Sequence, residues 1–420
     1  MSTPSWQHGP SAAADQATLR RSNLSLVLRA LRDSGPRSRA RLASDLRLNK
    51  ATVSSLVTEL TERGLVHDAG EERGAVGRPA TVVELDGHRV CGIGAEINVH
   101  HVATLALDLQ GDVVSERRLS LDAAGESPER VIDRLAELLT ETLADLRAQG
   151  GVPVGIVAGI AGLIDRETGT LSLAPNLGWR DVSVAALLRE RLGNPALPIG
   201  IDNEANLAAV AEALAGDPLR SDILVIHGEV GVGGGLVADG RQVRGKQGYA
   251  GEFGHMTVES NGRRCGCGRT GCWETVVGLS RLLDLAADPD DPVRAPGLAL
   301  EARLEELNRR AELGDDRTLN ALQQVAHGLG VGAAMLCNAL NPGVIVLSGY
   351  FAEVGPWLQD VVEAELADGV LAPGAGGTTV ALSTLGFTAA VRGGATVALE
   401  HVFDDPTLVA RVSEPLEAIS

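Results

Sequence analysis

The sequence predicts an α/β protein in two parts: an N-terminal winged helix-turn-helix, then a large body of strands and helices that carries a structural metal site. Three observations predict it. Helical apolar periodicity runs through three segments between Leu24 and Arg63 and gives way to two short strands. From Val90 onward, apolar strands alternate with amphipathic helices. Three of the five cysteines lie together between Cys265 and Cys272. With 420 residues, 44% of them hydrophobic and 22% charged, the chain can bury large cores and suits two or three domains.

Residues 1–15 lack the basic stretch and apolar core of a secretory leader and read as disordered. No run of about eighteen apolar residues occurs, so the chain is expected to be cytoplasmic, without a membrane partner. Leu24, Val27, Leu28 and Leu31 make the stripe of a first helix, ended by Asp33-Ser-Gly-Pro36. Ser38 can cap a short second helix holding Ala40, Leu42 and Ala43, and Asn49 is a suitable N-cap for a third. That third helix, Lys50 to Arg63, buries Val53, Leu56, Val57 and Leu60. Its other face shows Lys50, Thr52, Ser54, Ser55 and Thr58, short side chains that let a helix sit close in a major groove. Leu65 to His67 and Thr81 to Leu85 read as strands of a wing, whose Gly77-Arg78-Pro79 would bring the Arg78 guanidinium to a minor groove.

Charge separates the parts. Residues 1–89 hold 13 Lys and Arg against 10 Asp and Glu, a net of +3, while the rest holds 24 against 45, a net of −21. An acidic body repels nucleic acid, so DNA contacts are expected only in the head, where Arg37, Arg39, Arg41, Arg47 and Lys50 cluster. A three-helix segment with a hairpin also serves as a protein-interaction module, and the basic residues speak against that use.

In the body, Val90 to Glu96, Val102 to Leu109 and Asp112 to Leu119 read as strands, Pro128 to Arg147 as a helix, and Val154 to Ile160 as a buried strand. Gly162 to Gly169 reads as a turn-rich loop. Ile199 to Asn206 is a strand ending in polar residues, followed by a helix from Leu207 to Leu214. The acidic stretch from Asp284 to Asp316 reads as a loop and then a helix, with no chemistry assigned. His327 to Leu340 is an apolar helix holding a buried Cys337, and Val344 to Leu347 is a strand. Glu353 to Leu366 and Ala389 to Val402 complete the helices.

Cys265, Cys267 and Cys272 offer three soft thiolates within eight residues, with His255 as the natural fourth ligand. A Cys3His set is a closed tetrahedron, so the expected Zn2+ is structural. A disulfide pair would leave one of the three clustered cysteines over. Glu252 lies three residues before His255 and Glu274 two after Cys272, so a metal that pins His255 and Cys272 also pins both carboxylates. Such fixed acceptors suit the vicinal hydroxyls of a sugar, and a ligating imidazole keeps one ring nitrogen as a donor.

Ala250-Gly-Glu-Phe-Gly-His255 and Cys265-Gly-Cys-Gly-Arg-Thr-Gly-Cys-Trp-Glu274 resemble the signature of the ROK family of repressors and sugar kinases, and the resemblance runs from about residue 90 to the end. It implies a two-lobed actin-like ATPase (sugar kinase-like) fold over 89–420, with lobes of about 89–205 and 206–420 and a sugar cleft between them. The segment 16–88 resembles the winged helix-turn-helix of the family's repressors, closing on the same Gly77-Arg78-Pro79. Asn176, in Ala174-Pro-Asn-Leu-Gly-Trp179, is similar to a sugar-contacting asparagine. Asp202-Asn203-Glu204-Ala-Asn206 resembles a segment whose second aspartate is the catalytic base in the kinases. The resemblance thus implies sugar contacts from Asn176, Asn203, Glu204, Glu252, His255 and Glu274.

Phosphoryl transfer needs amides and hydroxyls close to the ATP phosphates. Three places depart from the kinase pattern. Glu96-Ile-Asn98-Val99-His100 stands where the kinases have Asp-x-Gly-Gly-Thr, Glu229-Val230 replaces a Gly-Thr pair before Gly231, and Glu204 is one methylene longer than aspartate. A displacement of about 1 Å can cost roughly a hundredfold in rate. No catalytic residue is therefore assigned. The expectation is a sugar-responsive regulator, most like the family's xylose-repressor branch. It would act as a dimer or tetramer on operator DNA, with xylose, glucose or a related sugar as effector. An ATP-dependent sugar kinase with an N-terminal extension is the alternative, and a zinc-stabilised scaffold or sugar binder without a DNA target is the third reading.

Overall fold

Leu24, Val27, Leu28 and Leu31 lie on the buried face of α1 (Gln16–Ser34), and each such side chain taken out of water contributes about 1.5–3 kcal/mol. The computed structural model describes residues 16–71, 81–193, 196–215, 221–295, 298–371 and 377–412. The expected disorder of residues 1–15 and the wing residue Arg78 lie outside them. After α1 come β1 (Arg37–Ser38), α2 (Arg39–Asp45), α3 (Lys50–Glu62), β2 (Val66–Glu71) and β3 (Thr81–Leu85), with the strands in the order β1-β3-β2. Asn49 Oδ1 accepts from Thr52 N at 2.7 Å, a cap worth about 1 kcal/mol. Ser38 makes no such cap bond. It is buried and pairs with Val82 in β1 instead.

The first lobe follows the expected alternation. It comprises β4 (Val90–Ile97), β5 (His101–Asp108), β6 (Val113–Ser120), α4 (Pro128–Ala148), β7 (Val152–Ile160), β8 (Leu163–Asp165), β9 (Thr170–Ala174), β10 (Trp179–Val182), α5 (Val184–Leu192) and β11 (Ile199–Asn203). Its main sheet runs β11-β7-β4-β5-β6, and β10-β9-β8 form a small antiparallel sheet beside it. The stretch from Gly162 is thus partly strand rather than loop, because Leu163, Ile164 and Asp165 pair antiparallel with Leu173, Leu171 and Thr170 of β9.

Helix α6 (Glu204–Ala215) begins three residues before the sequence-predicted start, because Asn203 Oδ1 accepts from Ala205 N at 3.0 Å and Asn206 N at 3.1 Å and so caps it. The second lobe then holds β12 (Ile223–Gly228), β13 (Val232–Ala238), β14 (Arg241–Val243), α7 (Glu274–Val277), α8 (Leu279–Ala286), α9 (Leu300–Glu312), α10 (Asp316–Leu340), β15 (Val344–Gly349), α11 (Tyr350–Glu353), α12 (Gly355–Gly369) and β16 (Thr379–Leu382). Its sheet order is β14-β13-β12-β15-β16. The acidic stretch is paired rather than free: Arg310 holds Asp291 at 2.7 Å and Glu306 at 2.8 Å, and Arg317 holds Asp288 at 2.8 Å.

The last helix, α13 (Ala389–Asp404), corrects the lobe boundary. The sequence assigns Ala389 to Val402 to the second lobe, yet α13 lies along α6 and across β4 and β7 of the first. Small residues permit this approach. A Cβ on Gly94 would stand 1.7 Å from Val391 O, and one on Gly393 would stand 1.9 Å from Leu207 O. The head joins the same core, in which Leu28, Leu56 and Leu85 pack with Leu107, Leu399 and Phe403.

Ion pairs fix the head to that helix. Arg29 reaches Glu400 at 2.8 Å and Asp404 at 2.7 Å, Arg32 pairs with Glu400, and the Arg32 guanidinium lies 4.7 Å from the centre of the Phe403 ring. Beyond α13, Val412 N donates to Glu62 O at 2.7 Å and Arg63 Nη1 to Val409 O at 2.6 Å.

Candidate ligand cleft and metal centre

Between the lobes lies a cavity of about 360 Å³, a size suited to a small polar ligand. The structure brings all six sequence-predicted sugar residues to its wall: Asn176, Asn203, Glu204, Glu252, His255 and Glu274. Asn176 is delivered by the turn between β9 and β10. Asn203 and Glu204 come from the junction of β11 and α6, Glu252 and His255 from a 3-10 turn, and Glu274 from the start of α7. His255 Nδ1 stands 3.5 Å from Glu274 Oε1, and His255 Nε2 stands 3.9 Å from Glu252 Oε2. Much of Asn203's capacity is already used, since its oxygen caps α6 and its amide donates to Gly162 O at 3.2 Å.

The glycine-rich run serves the cavity sterically. A Cβ on Gly231 would lie 2.6 Å from Glu274 Oε2 and 3.1 Å from Asn176 Nδ2, so only glycine leaves that end open. A Cβ on Gly235 would meet Ala209 Cβ at 2.4 Å, which shows that this glycine admits α6.

His255, Cys265, Cys267 and Cys272 place one ligand atom each within 4.8 Å of all the others, a group that could hold a metal ion. Cys267 Sγ and Cys272 Sγ are 3.6 Å apart, and Cys265 Sγ is 3.7 Å from His255 Nδ1. The positive φ of Gly268 and Gly271, 90° and 74°, folds the loop tightly enough to bring the three sulfurs together. Cys265 Sγ also donates to Glu274 Oε1 at 2.7 Å, so the cysteine loop and a carboxylate of the cavity wall are in direct contact.

The cavity wall also holds Asn98 and Glu229, which the sequence marked only as departures from the kinase pattern, and His227, which it did not single out. Glu229, at the end of β12, accepts from Asn98 Nδ2, which also donates to Glu96 Oε1 at 3.2 Å. His227 Nε2 lies 3.4 Å from Glu229 Oε1, and its Nδ1 lies 3.2 Å from Ser348 Oγ. Burial opposes charge on Glu229, yet the His227 imidazole, His101 and the Asn98 amide hold its carboxyl below the usual range. Burial likewise opposes charge on His227, and Glu229 outweighs it and raises the imidazole. Glu204 has no partner for Oε2, and burial pushes its carboxyl up to about 8 although His227 pulls the other way. A histidine inside the otherwise apolar strand Ile-Leu-Val-Ile-His227 was the available signal for this cluster.

On the head, Lys50, Ser54, Ser55 and Thr58 are exposed along α3, and Thr52 is half-buried. Ser55 Oγ accepts from Arg20 at 3.2 Å. Arg39 opens α2 and lies 3.6 Å from Asp68.

Residues 92–401 match the ROK family. The xylose repressor of Bacillus spizizenii is 29% identical over 392 residues, covering 93% of this chain and 98% of that protein. Among solved structures, a ROK family transcriptional regulator, described as a homologue of the Escherichia coli MLC protein, superposes with a TM-score of 0.73 at 23% identity, covering 92% of this chain and 97% of its own. A ROK family glucokinase from Streptomyces griseus, in complex with glucose and AMPPNP, gives 0.63 at 25% identity. It covers 74% of this chain and 99% of the kinase.

Proposed function

The chain belongs to the ROK family, and on that premise we propose that it is a cytoplasmic, sugar-responsive transcriptional repressor that binds operator DNA through its head and a sugar in its cleft, without phosphorylating it. The observation that carries this reading is the core shared by head, first lobe and α13, which ties a DNA-facing helix to a ligand cleft. The coverage of the relatives supports it, since the regulators match over nine tenths of the chain and the glucokinase leaves about a quarter of it unmatched.

In this reading residues 16–88 are a winged helix-turn-helix with α3 as the recognition helix. Lys50, Thr52, Ser54 and Ser55 face the major groove, and Arg39 and Arg78 hold the backbone and minor groove. A dimer places two such helices on a roughly palindromic operator. Hydroxyls of xylose, glucose or a related sugar are held by Asn176, Glu204, Glu252, His255 and Glu274, with Asn203 setting the start of α6 beside them. The donor set fits zinc, for which bonds of about 2.3 Å to sulfur in a tetrahedron give sulfur–sulfur edges of about 3.8 Å. His255, Cys265, Cys267 and Cys272 would hold the ion, and its chemistry there is structural: it fixes the loop that carries His255 and Glu274.

Transmission follows the packing. Glu204 opens α6, α6 lies along α13, and α13 carries the head through Glu400 and Asp404. Sugar acts through its different affinity for two arrangements of these parts, and the arrangement it favours is the one that releases the operator.

The test is binding of the full chain to DNA from upstream of its own gene, titrated with a panel of sugars at two salt concentrations. Release of a specific, salt-sensitive complex by one sugar is expected. Failure to form any specific complex, with or without sugar, refutes the proposal. A kinase with an N-terminal extension would instead form ADP from ATP, magnesium and sugar, and would lose that activity in Glu204→Ala.

A further inference from the structure

We propose that Glu229 selects the effector by charge: it is a built-in carboxylate at one end of the cleft, and it makes the site accept an uncharged monosaccharide and reject that sugar's phosphate ester. The inference rests on the sugar-effector reading above and names the class of effector.

Three observations carry it. First, the place is filled from within. Asn98 belongs to the turn after β4 in the first lobe and Glu229 to the end of β12 in the second, so their hydrogen bond closes the cleft across the lobes. His227, itself 2% exposed, lies 3.4 Å from the same carboxylate, so the imidazole that could pair with an incoming anion already faces an internal one. Second, the turn is tied in part from within: Glu229 N donates to Gly231 O at 2.9 Å, and Glu229 O accepts from Leu279 N at 3.2 Å. Third, the cavity wall is acidic. Glu204, Glu229, Glu252 and Glu274 all line it, and Arg269 is the sole arginine or lysine among its described lining residues, at the end shared with Cys267.

The neutral hydroxyls of a sugar can donate to this wall, whereas a phosphate can only accept and carries charge of the same sign as Glu229. At an effective dielectric of about 20 and a separation of about 6 Å, repulsion between two such unit charges corresponds to a preference on the order of a hundredfold for the free sugar. The same wall serves as a filter between free and phosphorylated forms of one sugar, so the protein would report sugar that has not yet met a kinase.

The experiment is calorimetric titration of the full chain with D-glucose and D-xylose and with the phosphate esters of each at either end of the molecule. It is run on the native protein, on Glu229→Gln, which keeps the shape, and on Glu229→Ala, which clears it. Free sugar should bind the native protein on the order of a hundredfold more tightly than either ester. In Glu229→Gln or Glu229→Ala at least one ester should gain tenfold or more relative to its free sugar. An ester that binds the native protein within about tenfold of its free sugar overturns the inference, even if neither variant folds. An unchanged ratio in both folded variants overturns it as well. If neither the free sugars nor the esters bind the native protein, the sugar-effector reading itself falls and takes this inference with it, an outcome distinct from binding without discrimination.

Discussion

Glu204 gives the sharpest quantitative test of the cleft. Its side chain is buried, Oε2 has no partner, and burial raises its carboxyl from 4.5 to about 8. A raised value in the folded state means that folding retains a proton which the unfolded chain has already released. The stabilising effect of this group is therefore complete below 4.5 and is lost as pH rises through 8. Between pH 5.5 and pH 8 the linkage amounts to a loss of about 3 kcal/mol, from about 1.4 kcal/mol per pH unit with the proton held nearly throughout.

Glu204→Gln keeps the size and the neutral form and removes the titration. Urea unfolding followed by the fluorescence of buried Trp179 and Trp273 should show native stability falling between those two pH values by about 3 kcal/mol more than that of the variant. At pH 8 the variant should be the more stable protein. Parallel pH profiles for the two proteins would refute the burial argument, and with it the placement of a neutral carboxyl at the cavity wall.

Two further outcomes follow from the same geometry. Stripping the metal with a chelator should abolish sugar binding while the head still binds DNA, because the loop that carries His255 and Glu274 loses its anchor; protein shown to be metal-free that still binds sugar would sink the structural role of the ion. Glu400→Ala removes the shared partner of Arg29 and Arg32, which are partly exposed, so the stability cost should be only about 1 kcal/mol. Operator binding should survive and its release by sugar should weaken, as read by fluorescence anisotropy on labelled DNA; an unaltered sugar response would exclude α13 as the carrier.

What the sequence revealed depended on distance along the chain. The four residues that could hold a metal ion fall within eighteen residues, so their spacing alone drew them together as a candidate site. The head was legible because α1 and α3 repeat apolar residues at helical period and Asn49 marks the start of α3. Asn176 and Glu204 are far apart in sequence and came only from resemblance, yet both line the cavity beside Glu274. The His227 cluster was hidden because its partners are remote: Asn98 is 131 residues from Glu229, and Ser348 is 121 residues from His227. Helix α13 was misplaced for a related reason. Its Gly and Ala pattern shows that something approaches closely, and not which of two lobes it is.

The lobes are joined on two flanks of the cleft. Arg244 of the second reaches Asp202 of the first at 2.6 Å, and on the other flank Asn98 meets Glu229 while Arg118 meets Glu301. In an enzyme that turns over a nucleotide, the second flank must open to admit and discharge a polyanion at every cycle. In the proposed reading the internal Glu229 carboxylate stands on that flank, so closure would not depend on a second substrate. Such a cleft would retain one variable, the occupancy of its sugar site. A ligand shifts a two-state equilibrium only by its differential affinity, so one sugar could tip the cleft only between states that lie within about 5 kcal/mol of each other. In the proposed reading, loss of the phosphate site and gain of a switch would be one structural change, made at Glu229 and read out through α6 and α13 at the head.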